Sequence, residues 1–413
     1  MFETDVTYNP VLLQTQHWTE AARRLGDLSS LASEQTWRSL EDYLHLSLRE
    51  RLATSARRLV QQGERLVRSV MANDAPERFR PQLAQLRSQY MRVETMMDFF
   101  ANALASRTDQ ETIALLRACD RMAISAMRSL LDPLGFRIPP VLSYLDDGLG
   151  MALLKADMRL WDGYTDNPVA AIKVTRHNLM RPTALVHEAG HQVAHILNWN
   201  EELRTALRSG LRRYGDDIAD TWASWASEIA ADAYGFVHTG FASVAALHDV
   251  VDSPGAVFAF SPGDPHPISY LRVLFGIQCC RHFYGAGLWD EMEENWVRRH
   301  PVSDTPEALE TLIRQSLQAI PAVVRIVCDQ PYTAFRNKSL AAWIDPQKVQ
   351  PDRLKREADA YGKGFFHSPY LVAEAPLLRL ALNGYELVEH PEKASELLAQ
   401  QRGWMVLLGN VIH

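Results

Sequence analysis

The sequence predicts a mainly α protein of the α+β class with one small β-sheet. Three observations predict it. Apolar residues recur at helical spacing through most of the chain, the only convincing strand patterns fall between Pro139 and Met180, and the composition is that of a chain with a sizeable core: 413 residues, 47% hydrophobic and 23% charged. This length accommodates one large domain or two to three smaller ones. The expected division is an N-terminal helical region (1–135), a central core (136–300) and a C-terminal helical region (301–413).

In the first region Trp37, Leu40, Leu44, Leu48, Leu52, Ala56 and Leu59 follow helical spacing. The pattern fades at Asn73-Asp74-Ala75-Pro76 and resumes with Leu83, Leu86, Tyr90, Val93 and Met97, which predicts a helical hairpin, coiled-coil-like in its spacing. A further helix is expected over 109–131, stopping before Pro133 and Gly135. From Arg49 to Arg92 there are ten arginines and four acids, a surplus of six positive charges in a chain whose net charge is -7. The rest of the chain therefore carries a net charge of -13. A basic arm (49–92) on an acidic body can grip an acidic partner. A solvated helical face accounts for the same residues. The acidic total argues against a nucleic-acid binder, and no pattern of aromatic residues accompanies the arginines.

Between Pro139 and Met180 turn signals multiply: Pro139-Pro140, Asp146-Asp147-Gly148, and Asp162-Gly163-Tyr164-Thr165-Asp166-Asn167-Pro168. Strands are expected in part of Ala152–Trp161 and over Ala170–Thr175. Beyond this stretch helix dominates again, with a start expected at Asp304 or Thr305, before Pro306 and Glu307. The four cysteines (Cys119, Cys279, Cys280, Cys328) include no C-x-x-C pair, so core thiols in a reducing compartment are expected. No basic stretch leading into an apolar one opens the sequence, and no run of eighteen apolar residues occurs. The expected location is the cytoplasm, away from membranes.

The strongest motif is His187-Glu188-Ala189-Gly190-His191, an H-E-x-x-H sequence in an apolar stretch that begins near Pro182. On a helix His187 and His191 share one face, one turn apart, and their imidazoles can converge on one zinc ion. Glu188 is rotated about 100° from His187, beside an open coordination position rather than on the metal, where it can act as general base. Such a motif arises by chance in some sequences, but a solvated stripe would not sit among Leu185, Val186, Val193 and Ile196.

A catalytic zinc takes three protein ligands. His195 lies about 12 Å along the helix from His187, too far to share an ion, and is assigned to the surroundings of the site or to the core. The metzincin pattern wants Gly at 194 and His at 197, where this chain has Ala194 and Leu197. The better candidate is Glu228, on a second small-residue helix (221–233), with Asp232 four residues later on the same face. Glu228 is expected as third ligand. Asp232 is expected to accept a hydrogen bond from the far nitrogen of a liganding histidine, fixing its tautomer. Ala189, Gly190 and Ala194 facing Ala226, Ala230 and Ala231 would let the two helices approach closely.

H-E-x-x-H followed by E-x-x-x-D resembles the gluzincin zinc metallopeptidases. The segment Ser261-Pro262-Gly263-Asp264-Pro265-His266-Pro267-Ile268-Ser269-Tyr270-Leu271-Arg272 is similar to the His-Pro…Arg stretch of the CAAX-prenyl-protease and heat-shock membrane-peptidase group. The resemblance spans about residues 170–285. Residues 1–135 do not match it, and the membrane helices of that group are missing from the pattern. It implies a zincin-like core, a Zn2+ cofactor and a peptide or protein substrate. It also implies that His266, or Tyr270 as a rival, donates a hydrogen bond to the substrate oxyanion, and that Arg272 orients Asp232 or the substrate. A strand near 170–176 is expected to be the edge on which a peptide docks.

Three functions are compatible with these residues. The first is a cytoplasmic endopeptidase. The second is an oligopeptidase or carboxypeptidase with a closed helical channel. The third is a non-enzymatic binding protein with a structural metal site and a functional basic hairpin. Glu188 argues against the third, because a structural site needs no base.

Overall fold

The computed structural model describes residues 9–147, 152–156, 167–253 and 255–411. The turn expected at Asp162–Asp166 and the strand pattern beyond residue 156 lie outside these residues, as do Gly148 and the first eight positions. The chain is mainly helical with one three-stranded sheet, as the sequence predicts. It forms two compact units rather than three regions: Met1–Thr108 with Lys155–Ala170, and Asp109–Leu154 with Ala171–His413.

The first unit contains α1 (Pro10–Leu25), α2 (Glu34–Arg38), α3 (Asp42–Met71) and α4 (Arg80–Ala105). The hairpin forms as expected, with the turn between α3 and α4. Its predicted apolar positions, Trp37 through Leu59 and Leu83 through Met97, are all buried. The sequence pattern did not disclose α1, which packs on both hairpin helices. Asn9 caps its first turn by accepting from Leu12 N–H at 2.9 Å, and Pro10 occupies a position where no N–H is needed.

In the second unit α5 (Gln110–Leu131) is followed by β1 (Val141–Leu145), β2 (Ala152–Leu154) and β3 (Ala170–Val174). The sheet order is β1-β3-β2, and β2 runs antiparallel to β3 with Leu153 opposite Ile172. β3 is thus the central strand, not the edge expected for 170–176. Its near-continuous burial over Ala170, Ala171, Ile172 and Val174 is what a strand flanked on both sides requires. α5 belongs to this unit and not to an N-terminal region. It is buried around most of its circumference, and Asp120 accepts from Ser143 N–H of β1 at 2.6 Å.

The metal motif lies on α6 (Ala184–Ile196) and the E-x-x-x-D motif on α9 (Ala226–Thr239). Between them come α7 (Trp199–Gly210) and α8 (Asp216–Ser224); α10 (Phe241–Val251), α11 (Ser269–Tyr284), α12 (Leu288–Arg299) and α13 (Glu307–Val324) follow. The last helices are α14 (Leu340–Trp343), α15 (Pro351–Tyr361), α16 (Gly364–His367), α17 (Pro369–Glu374), α18 (Pro376–Glu389) and α19 (Ala394–Asn410). They are not a separate region: α18 packs on α9 and α10, and α19 lies along α5. Arg121 of α5 donates to the carbonyls of Leu408 and Val411, tying down the chain after α19. The four cysteines are buried thiols. Among the described residues no helix is long and apolar enough to cross a membrane.

Two predictions follow from this packing. A Cβ at Gly409 would overlap the backbone carbonyl of Ala114, so Gly409→Ala must push α19 off α5. Urea unfolding should show a loss of about 1–3 kcal/mol; a neutral result would mean that α19 is not seated this closely. The second concerns His238 on α9. Burial lowers its pKa from 6.5 to about 4, against hydrogen bonding to the backbone. The folded value lies below the unfolded one, so folding favours the neutral ring. Its contribution is intact above pH 6.5 and is lost as pH falls toward 4, by up to about 3 kcal/mol. Thermal melts in chelator across this window should fall more steeply for wild type than for His238→Gln.

Candidate metal centre

Local sequence places the site on two helices that nearly touch. α6 and α9 cross with Gly190 against α9, where a Cβ would stand 2.9 Å from Tyr234 Cβ and 3.1 Å from Ala231 Cα. Any side chain at 190 would hold the helices apart. His187 and His191, one turn apart on α6, point to the same place, with ring centroids 4.7 Å apart.

Glu228 of α9 reaches between them. Its Oε2 lies 3.5 Å from His187 Nε2 and its Oε1 lies 3.2 Å from His191 Nε2. The three candidate ligand atoms all fall within 4.8 Å of one another, and the group could hold a metal ion. Tetrahedral donors at zinc bond lengths stand about 3.3–3.4 Å from each other. The two separations, each to a different carboxylate oxygen, lie near that edge length, and two imidazoles and one carboxylate are thus close enough to share one metal ion.

The far nitrogens of both rings are engaged, which aims each Nε2 at the centre. His187 Nδ1 lies 2.8 Å from Asp232 Oδ1. Asp232 is gripped in turn by Arg272 of α11, Nε to Oδ2 at 2.8 Å and Nη2 to Oδ1 at 2.7 Å. This bidentate fork fixes the carboxylate plane. His191 Nδ1 lies 3.3 Å from Ser227 Oγ, which accepts from Asn200 Nδ2 at 3.5 Å. Ser227 and Asn200 escaped the sequence reading. The available signal was the hydroxyl immediately before Glu228 on the same helix.

Charge in this pocket does not balance within the protein. Glu188 and Glu228 are each 8% exposed, Asp232 and Arg272 are largely buried, and the charge of Glu188 is felt at Arg272. With neutral imidazoles, three carboxylates face one guanidinium, a deficit of two positive charges. The protonation tendencies report the same demand. Burial opposes a charge on His187, yet Asp232 and Glu228 hold its pKa up at about 10 when only protein groups surround it. Burial pushes the Glu228 carboxyl up, but the two imidazoles and Arg272 overcome it and keep it far below the usual range. Asp232, also opposed by burial, is held at about 2, chiefly by Arg272. A divalent cation held by the three donors would supply the missing charge, where protons would supply it only in part.

The structure thus brings together His187, Glu188, His191, Glu228, Asp232 and Arg272. His266 sits on the exposed loop before α11, its ring Nδ1 2.7 Å from Asp264 Oδ1. The charge of Glu228 is felt at Asp264, so this loop lies within electrostatic reach of the donors. Tyr270 is placed elsewhere: its ring is buried in an aromatic cluster with Phe258 and Trp296, and its charged neighbours are Glu293 and Arg314. Its ring fills space under α12, which removes it as the rival to His266. His195 is exposed rather than part of the core.

Asp232→Ala removes the partner of both Arg272 and His187. It should cost about 3 kcal/mol in urea unfolding and weaken metal binding about 10–100-fold. An unchanged metal affinity would mean that Asp232 does not orient the ring. Comparison with protein-family models, curated proteins and solved structures finds no match to this chain.

Proposed function

We propose that this protein is a zinc-dependent metallopeptidase of the gluzincin type, with His187, His191 and Glu228 as metal ligands and Glu188 as general base. The observation that carries the reading is a three-donor group beside a buried carboxylate that is not one of the donors. Structural zinc sites are closed by four protein ligands, and catalytic ones keep a position open. A base next to an open position has a use in hydrolysis and none in a structural site. That the bond cleaved is a peptide bond rests on the resemblance of H-E-x-x-H…E-x-x-x-D to the gluzincins.

Zinc held by these ligands would supply Lewis acidity toward a carbonyl oxygen and would acidify water. The chain's own groups do the rest. Glu188 takes a proton from the attacking water and delivers it to the leaving amine nitrogen. Asp232, held by Arg272, keeps the His187 proton on Nδ1, and Ser227 does the same for His191. His266 is the donor to the developing oxyanion. Its Nδ1–H is committed to Asp264, so Nε2 donates only when the ring is doubly protonated. With β3 in the centre of the sheet, the outer strand β2, which lies against α6, is the edge for an extended substrate. A reducing, cytoplasmic setting suits the four buried thiols.

The test compares wild type with Glu188→Gln for metal content and for cleavage of a peptide library. Equal zinc occupancy is expected in both, with turnover reduced at least about 100-fold in the variant. Comparable turnover would remove Glu188 as the base. Cleavage of folded proteins against short peptides separates an endopeptidase from an oligopeptidase.

A further inference from the structure

The arginine surplus of the hairpin is not evenly solvated. On α4, Arg80, Leu83, Ala84, Arg87, Ser88, Met91, Arg92 and Thr95 form one continuous face, and with Gln14 and Trp18 of α1 they line a groove of about 750 Å³. Its floor is apolar: Leu83 is buried, Trp18 is half-buried, and Met91 is 48% exposed. Its rim carries three arginines and no acid among the lining residues. Arg80 pairs with Glu77. Arg87 lies over the Trp18 ring, 5.6 Å from its centroid, and neither it nor Arg92 makes an ion pair among the described residues. The sequence contained no aromatic pattern beside these arginines because the aromatic comes from α1, some seventy residues away in the chain.

We infer that this groove is a docking site for an acidic amphipathic helix of a partner protein. The face from Arg80 to Thr95 is about 22 Å long, the length of a four-turn helix. A partner helix would lay apolar side chains on Leu83, Met91 and Trp18 and offer carboxylates to Arg87 and Arg92. The hairpin uses arginine throughout: the first lysine of the chain is Lys155. A guanidinium fork matches a carboxylate in a way that an ammonium does not. A nucleic acid would ask for a broad basic surface. Acids break up the basic stretch, pairing Arg49 with Glu34, Arg57 with Glu50 and Arg80 with Glu77, and at the groove Arg87 and Arg92 flank apolar side chains, for which a nucleic-acid backbone has no use.

The test is a fluorescence-anisotropy titration of the full chain with a labelled acidic amphipathic peptide of about 15 residues, glutamates on one face and leucines on the other. Saturable 1:1 binding is expected, weakened by added salt and reduced about tenfold or more by Arg87→Glu with Arg92→Glu. Arg58→Glu with Arg65→Glu makes the same charge change at a separate cavity between α3 and α4, and should alter binding by less than about twofold. The milder pair Arg87→Gln with Arg92→Gln, checked by thermal melting, keeps the result interpretable if the charge reversals disturb folding. Failure to bind, or equal losses in the two pairs, would overturn the inference. So would tighter binding, through the same arginines, of a single-stranded oligonucleotide or of phosphatidylserine vesicles. None of these outcomes depends on the metal centre.

Discussion

Helices α6 and α9 can bring two imidazoles and a carboxylate to one point only because their backbones nearly touch at Gly190. A single methyl group there would meet Ala231 and Tyr234 and force the helices apart. Close packing of small residues is thus the condition for the donor geometry, since Glu228 is a side chain of limited reach that must span the gap to both His187 and His191. The cost of this arrangement is electrostatic, because it gathers Glu188, Glu228 and Asp232 in a poorly hydrated place with one guanidinium to answer them. Arg272 is the protein's partial answer, and it reaches the site from α11, a helix outside the crossing pair.

The hydrogen bonds behind the donors divide the labour. Charge at Asp232 is spent on orienting His187, while the neutral hydroxyl of Ser227 orients His191. The two rings therefore have different partners: one is backed by a carboxylate, the other by an alcohol. A carboxylate-backed imidazole is the stronger donor to a cation. Glu188, on the same helix, is buried and is not one of the three donors. In the proposed reading that leaves Glu188 to move protons.

Much of this was legible in the sequence, for identifiable reasons. The spacing of His187, His191, Glu228 and Asp232 encodes one-face geometry directly, and the alanines and Gly190 encode how closely two helices can come. The hairpin was legible because Trp37 to Leu59 and Leu83 to Met97 keep strict periodicity. Long-range partners were not. Periodicity identifies α5 as a helix but cannot say which unit buries it, and nothing local announces that Asn200 will meet Ser227. β1 was missed because Val141, Leu142 and Ser143 are buried in succession without alternation. β3 was misplaced at the edge because two flanking strands are a tertiary fact. Tyr270 follows His266 closely in sequence, yet the start of α11 turns it into the aromatic packing around Trp296.

Zinc K-edge X-ray absorption on the purified protein tests the central claim most directly. The account predicts a first shell of nitrogen and oxygen at about 2.0–2.1 Å, with the imidazole scattering reduced in His191→Ala and the oxygen contribution altered in Glu228→Ala. A shell containing sulfur at about 2.3 Å, or a spectrum indifferent to both substitutions, would place the ion elsewhere and contradict a shared metal at the crossing of α6 and α9.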